Sequence, residues 1–513
     1  MNPRPSSASK RAPSSSRAPS SRAQRSPASA KPSRAAAASA PGVDREAVAK
    51  ALAALAAMEG EVLDDLCGLA RIPSVSARPV PDAAVRASAE ATAVLMRKAG
   101  LHDVELLEVE GAHPYVLGHR VEDPALPTLL LYAHHDVQPE GDPARWTSPP
   151  YEPTRRGDRI YGRGIVDDKA GILVHLAAIA SWVRAAGRLP VNVHFVVEGE
   201  EEIGSEHLAE FLTRYRAKMP ADCIVLTDTG NLERGLPSLT TRLRGLVKVE
   251  VALRGYDHAL HSGFWGGPVP DPVMGMARML ASLTHPDGSI AVKGCVAGAR
   301  KPTARERAGL ASLPYSAKAL RADAGAVKGL KLHDATGADV YAAQWYEPAL
   351  AITALEASPV AGSSNQIVPS ARARIGVRIV PGQDPKAVQR ALVAHLKANV
   401  PWGLELTIKS MTAGPAWSTD TGDPAFAAAH RALAAGYGTR SIEIGAGGSI
   451  PFVGPFAKAL GGVPALLVGL EDPACNAHAE NESLYLPDFH ASCRSAVHLY
   501  AELGAVLRPA ARG

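Results

Sequence analysis

The sequence is poor in cysteine, has no long apolar run, and carries no acid at all before Asp44. Each shortage excludes something. Five cysteines in 513 residues, Cys67, Cys223, Cys295, Cys475 and Cys493, are odd in number and form no C-x-x-C pair. That excludes a disulfide scaffold and a zinc ribbon; the thiols read as small buried hydrophobes in a reducing, cytoplasmic compartment. No continuous apolar stretch reaches the roughly 18 residues of a membrane span, so the chain reads as soluble. Lys and Arg number 55 against 51 Asp and Glu, a net charge of +4, yet eight basic residues lie within Met1–Arg34. Taking those eight from the +4 leaves the remainder at about −4, which excludes a nucleic-acid-binding surface. What is present is length. With 513 residues, 46% of them hydrophobic, the chain exceeds one compact core and predicts two or three domains.

Residues 1–42 are Ser, Ala, Pro, Arg and Lys almost throughout, a composition that cannot offset its ordering entropy and predicts a disordered basic tail. The short Ala35–Ala40 stretch is no secretory h-region. Helical spacing begins with Val48, Leu52, Leu55 and Met58. Apolar strands then alternate with helices: strands at 128–133, 191–197, 223–226 and 463–468, helices at 169–184 and 205–215. Such alternation predicts an α/β fold, a doubly wound and mostly parallel sheet covered on both faces. Between them the texture differs. Val247, Val249, Val251 and Leu253 alternate with polar neighbours, and the order strand (247–253), helix (272–283), strand (350–355), strand (371–380), helix (385–398), strand (404–409) is that of a ferredoxin-like α+β unit. The predicted division is a catalytic domain in two parts, 43–240 and 414–513, with a domain inserted at 241–413. Residues 297–341 mix Lys, Arg and Gly with helix formers and suggest no role.

The chemistry lies where the strands end. The 128–133 run leads into His134-His135-Asp136, the 191–197 run into Glu198-Gly199-Glu200-Glu201-Glu202, the 223–226 run into Asp228, and the last strand towards Asp472 and His478. Ligands of open α/β sheets bind outside the carboxyl ends of the strands. A tight loop, Gly162-Arg163-Gly164-Ile165-Val166-Asp167-Asp168, joins the same crevice. Two histidines and several carboxylates without cysteine suit Zn²⁺, Mn²⁺ or Co²⁺, and crowded carboxylates repel unless cations neutralise them, so a dinuclear centre is expected. Each motif alone has a plainer reading: His134 as a core histidine, the Glu run as a solvated helix start, Asp167 and Asp168 as a cap, Asp228 as a turn residue, His478 as a surface residue. Their common order at successive strand ends favours the metal site.

With these motifs go Leu260-His261-Ser262-Gly263, Gly447-Gly448-Ser449-Ile450-Pro451 and Ala477-His478. Together they resemble the co-catalytic metallopeptidase family of carnosinases, cytosolic nonspecific dipeptidases, aminoacylases and glutamate carboxypeptidases, over about residues 45–510 and nearest the dipeptidase branch. The resemblance implies that Asp167 bridges two divalent cations, one held also by His134 and Asp228, the other by Glu202 and His478. It further implies a cis peptide between Asp167 and Asp168, Glu201 as general base, and Asp136 as the partner that orients His134. His261 would cross to the active site of a second subunit and stabilise the oxyanion, which calls for a homodimer formed through the inserted lid domain. Arg378 would anchor the substrate's C-terminal carboxylate, with donors from Gly448 and Ser449.

One departure stands out. Dipeptidase relatives often carry Arg-Glu before the Gly-Gly-Ser-Ile-Pro loop, whereas this chain has Gly445-Ala446, so less charge lines that side of the pocket. The function expected is hydrolysis of dipeptides with a free C-terminal carboxylate by a dinuclear metallopeptidase, zinc being the default metal. An N-acyl or N-carbamoyl amino acid hydrolase would share the metal site. A silent peptide-binding protein would have lost a ligand or the base, and none is lost.

Overall fold

The computed structural model describes residues 42–509 apart from 333–335, 449 and 451–452. The tail expected to be disordered therefore lies, but for Gly42, outside the described residues.

Four parallel strands form the centre of a nine-stranded sheet, in the spatial order Asn192–Glu198, Thr128–His134, Cys223–Gly230, Ala465–Glu471. They are almost wholly buried, which is why they read as unbroken apolar runs. Successive residues serve opposite faces: Leu129, Leu131 and Ala133 join one core cluster, Leu130 and Tyr132 another. The first face is covered by helices that include Lys169–Ala186, Pro424–Tyr437 and Leu486–Val506, the second by Leu208–Tyr215 and Val453–Ala459. The flanks are antiparallel and make the sheet mixed. Tyr115–Arg120 and His102–Leu107 extend one side, Ser238–Leu243 the other, with Trp417–Ser418 and the parallel Ile442–Ala446 beyond it.

Helix Lys169–Ala186 is long and apolar enough by composition to cross a membrane, but 78% of it is buried inside the protein, as befits a core helix. The helix expected from Ser205 begins instead at Leu208. Gly204 (φ +99°) and Ser205 (φ +53°) are left-handed and separate it from a short 3-10 turn, Glu201–Ile203.

A second sheet is wholly antiparallel, ordered Ala349–Glu356, Ser370–Ile379, Gly245–Arg254, Glu405–Gly414. Helices Pro272–Ala281 and Pro385–Ala398 pack on one face over Val247, Val249, Val251 and Ile375. Both start with proline behind an aspartate cap, Asp271 and Asp384, a pairing of rigid φ and side-chain acceptor that begins helices sharply. The unassigned stretch forms helices Ala304–Ala311, Ala317–Asp323 and Gly337–Trp345. Leu310, Leu313, Tyr341 and Trp345 cluster there with Ile444, so this stretch covers the Ile442–Ala446 edge of the large sheet. It also accounts for Gly445: a Cβ there would lie 2.5 Å from Trp345 Cγ, leaving no room for a side chain.

Candidate metal centre

Because the four central strands run the same way, their carboxyl ends share one edge, and the expected residues gather there. His134 closes Thr128–His134, Asp228 lies near the end of Cys223–Gly230, and Glu471 ends Ala465–Glu471. Asp167 and Asp168, joined by a cis peptide bond, come from the loop before helix Lys169–Ala186. That loop is fixed by a buried carboxylate. Glu482 accepts from Arg163 Nη1 at 2.6 Å and from the backbone N–H groups of Gly164, Val166 and Asp167 at 3.0, 3.2 and 3.3 Å. Gly164 (φ +72°) has no alternative, since a Cβ there would come within 2.2 Å of Val137 Cγ1.

Asp167 is the hub. Its Oδ1 lies 3.0 Å from His134 Nε2 and its Oδ2 2.9 Å from His478 Nε2, so one carboxylate spans two imidazoles. His478 Nε2 is also 3.2 Å from Glu202 Oε2, and His134 Nε2 is 3.8 Å from Asp228 Oδ1. Donor atoms of His134, Asp168 and Asp228 lie within 4.8 Å of one another, as do those of Asp167, Glu202 and His478, and those of Asp167, Asp228 and Glu471. All five expected ligands are thus brought together. Sequence reasoning placed Asp168 in the crevice without counting it as a donor, and it missed Glu471. The signal for Glu471 was its position at the end of the last parallel strand, one residue before the Asp472 that drew attention instead. Asp472 pairs with Arg159 at 2.5 Å, away from the cluster.

The surroundings orient these donors. His134 Nδ1 donates to the Asp136 carbonyl at 3.1 Å, with the Asp136 carboxylate 3.4 Å away, so Nε2 faces the cluster. Asp136 also accepts from the Glu201 and Glu202 N–H groups at 3.2 and 3.0 Å and holds the turn that carries both glutamates. Gln138 donates to Glu202 Oε2 at 2.8 Å.

Burial and mutual repulsion raise several acids of the cluster, while the histidines hold Asp167 below its ordinary value. Burial, reinforced by Asp167, pushes Glu202 up to about 7. Burial and the charges of Asp228, Glu202 and Asp167 hold Glu201 well above the usual range, although His134 pulls the other way. Burial and Asp167 do the same to Glu471. Hydrogen bonds to Asp167 and Glu202 raise His478 to about 11, tying its imidazole to both carboxylates. At Asp168, Oδ1 is buried without a hydrogen-bond partner. An orphaned carboxylate oxygen, crowded acids and imidazoles facing them form a hard nitrogen and oxygen donor set that fits divalent cations, which would replace the bridging protons.

Beside this cluster opens a cavity of about 710 Å³ whose lining joins Glu201, Glu202 and His478 to Arg378, Lys248 and Gly448. Arg378 extends from Ser370–Ile379, so both sheets contribute. Burial, with the Arg378 guanidinium next in weight, lowers neighbouring Arg244 to about 10. Ser449 lies outside the described residues. His261 is not among the described residues lining the cavity. It is exposed on strand Leu260–His261, accepts from Gly263 N–H at 3.1 Å, and its ring lies 4.7 Å from that of Phe264.

A profile of peptidase family M20/M25/M40 matches residues 130–502. A cysteinylglycine-S-conjugate dipeptidase of Corynebacterium striatum is 31% identical over 360 residues, 70% of this chain and 77% of that one. Among solved structures, the di-peptidase Dug1p of Saccharomyces cerevisiae is similar with a TM-score of 0.76 at 26% identity, over 89% of this chain and 98% of that one. The M20 family metallo-carboxypeptidase Sso-CP2 of Sulfolobus solfataricus gives 0.77 at 27%, over 87% and 100%. Profile, sequence and fold agree, and the chain is a member of peptidase family M20/M25/M40, a hydrolase of the metallopeptidase kind.

Proposed function

We propose that the protein hydrolyses dipeptides with a free C-terminal carboxylate, with Asp167 at the centre of a site that would hold two divalent cations. The observation that carries this is the two-sided Asp167 carboxylate, one oxygen towards His134 and the other towards His478. One cation would be held by Asp167, His134 and Asp228, the other by Asp167, Glu202 and His478, with Asp168 and Glu471 close by. When bound, such a pair supplies Lewis acidity that polarises the scissile carbonyl and acidifies a water.

The chain's own residues do the rest. Glu201, half-buried beside Glu202 and given a raised proton affinity by burial and the neighbouring acids, takes the water's proton as the carboxylate and returns it to the leaving amine. Asp136 holds His134 Nδ1, leaving Nε2 as the nitrogen that would ligate a cation. Arg378 and Gly448, which line the cavity, receive the substrate's carboxylate, a role that Ser449 would share. His261 serves the oxyanion of a second subunit, and its exposure away from its own cavity supports that reading.

A homodimer through residues 241–413 follows. The outer strand Ala349–Glu356 is exposed along most of its length, including Ile352 and Leu355, as an edge awaiting a partner would be. Five unpaired cysteines support a reducing, cytoplasmic setting. Zinc is the default cation for these donors, and Mn²⁺ or Co²⁺ would fit them. The names of similar dipeptidases, one of them acting on cysteinylglycine S-conjugates, support the substrate class.

The test is turnover of a dipeptide panel and its N-acetyl counterparts by protein as isolated, after chelation, and after Zn²⁺, Mn²⁺ or Co²⁺ is restored singly. Loss on chelation with recovery on dipeptides is the expected result. Cleavage of N-acetyl amino acids alone would replace dipeptidase by acylase.

A further inference from the structure

The strand Gly245–Arg254 alternates cleanly, with Val247, Val249 and Val251 in the core of the second sheet and Leu246, Lys248 and Glu250 on its opposite face. On the neighbouring strand Arg378 lies opposite Leu246, and Gly376 opposite Lys248. Lys248 and Arg378 are therefore diagonal neighbours on one face, with Cβ atoms somewhat closer than about 7–8 Å. Gly376, directly across from Lys248, contributes no side chain to fill the space.

The three arginines further along this sheet are neutralised, while Lys409 on the outer strand lies away from the cavity lining. Arg374 pairs with Glu250 at 2.8 Å, Arg372 with Glu356 at 2.6 Å and Arg254 with Glu405 at 2.6 Å. Lys248 and Arg378 differ from them in both respects that matter. Both line the cavity that also holds Glu202 and His478, and among the described residues neither has a carboxylate within ion-pair distance. One guanidinium suffices for the α-carboxylate of a dipeptide. A second half-buried cation beside it has no counterpart in a substrate whose C-terminal side chain is neutral, and a cation held partly out of water without a counterion is costly.

We propose that Lys248 selects dipeptides whose C-terminal residue is aspartate or glutamate, binding the side-chain carboxylate while Arg378 binds the α-carboxylate. In those residues the two carboxylate carbons lie about 4–5 Å apart, by bond lengths near 1.5 Å. Two side chains rooted on diagonal positions can converge on that spacing. The inference rests on the dipeptidase reading of the same cavity and narrows its substrate class.

The test compares kcat/KM of the metal-loaded full chain on Ala-Glu with Ala-Gln, and on Ala-Asp with Ala-Asn, pairs matched in size and differing in charge. The wild type should favour the acidic member of each pair. Lys248→Met should lower the acidic-to-amide ratio about ten- to a hundredfold, mainly through KM, the usual worth of one charged hydrogen bond. Lys248→Arg should keep the ratio above one, and Lys248→Glu should turn the preference towards Ala-Lys. An enzyme active on the amide peptides with no acidic preference, or a Lys248→Met protein with an unchanged ratio, overturns this inference alone. Inactivity on every peptide overturns the dipeptidase reading with it.

Discussion

At the scale of single residues, neighbouring glutamates of one short run have unlike surroundings. Glu202 is bound by Gln138 and His478, whereas Glu201 faces the same acids as a protonatable neighbour. Glu201→Gln should therefore reduce kcat by about a hundredfold or more while metal content, measured by elemental analysis, stays that of the wild type. Glu198, four residues before Glu202, has a structural part. It is buried under the hydroxyls of Tyr132, at 2.8 Å, and Tyr115, at 3.2 Å, and burial pushes it up to about 7. Between its ordinary value of 4.5 and 7 the native state holds a proton that the unfolded chain has lost. Stability from this group consequently falls as pH rises through that window. Glu198→Gln removes the effect, so the Tm of the variant relative to wild type should rise from pH 5 to pH 8. A difference independent of pH would contradict the assignment. Residue types at the site were legible because chemistry restricts them. Asp168 and Glu471 were not, because an acid beside a cap or at a strand end looks ordinary until its neighbours in space are known.

At the scale of elements, strands and loops set the geometry that the ligands need. The loop 162–167 is tied by Glu482, a residue more than three hundred positions away in the chain, which also neutralises buried Arg163. Glu482→Gln leaves that guanidinium unpaired and loosens the Asp167 backbone. It should cost about 3–5 kcal/mol in denaturant unfolding and weaken cation binding in titration calorimetry. No local pattern marks Glu482, since its partners are distant in sequence. The central strands were readable from their apolar runs, and helix Pro385–Ala398 from its place in the strand and helix order of the inserted unit. The start of helix Leu208–Tyr215 was not, because left-handed backbone at Ser205 is decided by the turn that Asp136 and Glu200 hold, Glu200 accepting from His207 N–H at 3.0 Å.

At the scale of the whole molecule, the central proposal is that a site needs two subunits. Mixing tests it without knowledge of the interface. Glu201→Gln and His261→Ala homodimers should each be nearly inactive. Unfolded together and refolded in equal amounts, half of the dimers are mixed, and each mixed dimer holds one site with both Glu201 and His261. Activity should return to about a quarter of the wild-type value. No recovery would mean that His261 serves its own subunit or none.

The sequence by itself determined the residue types of the site, their order along the chain and the alternation that makes a sheet, because ligand chemistry and hydrophobic periodicity are local properties. Tertiary structure alone decided that one carboxylate of Asp167 reaches two histidines, that Trp345 closes the space beside Gly445, and that Lys248 stands beside Arg378 with no carboxylate partner among the described residues. Each of these depends on a distance between strands far apart in sequence, which only the packing of the two sheets fixes.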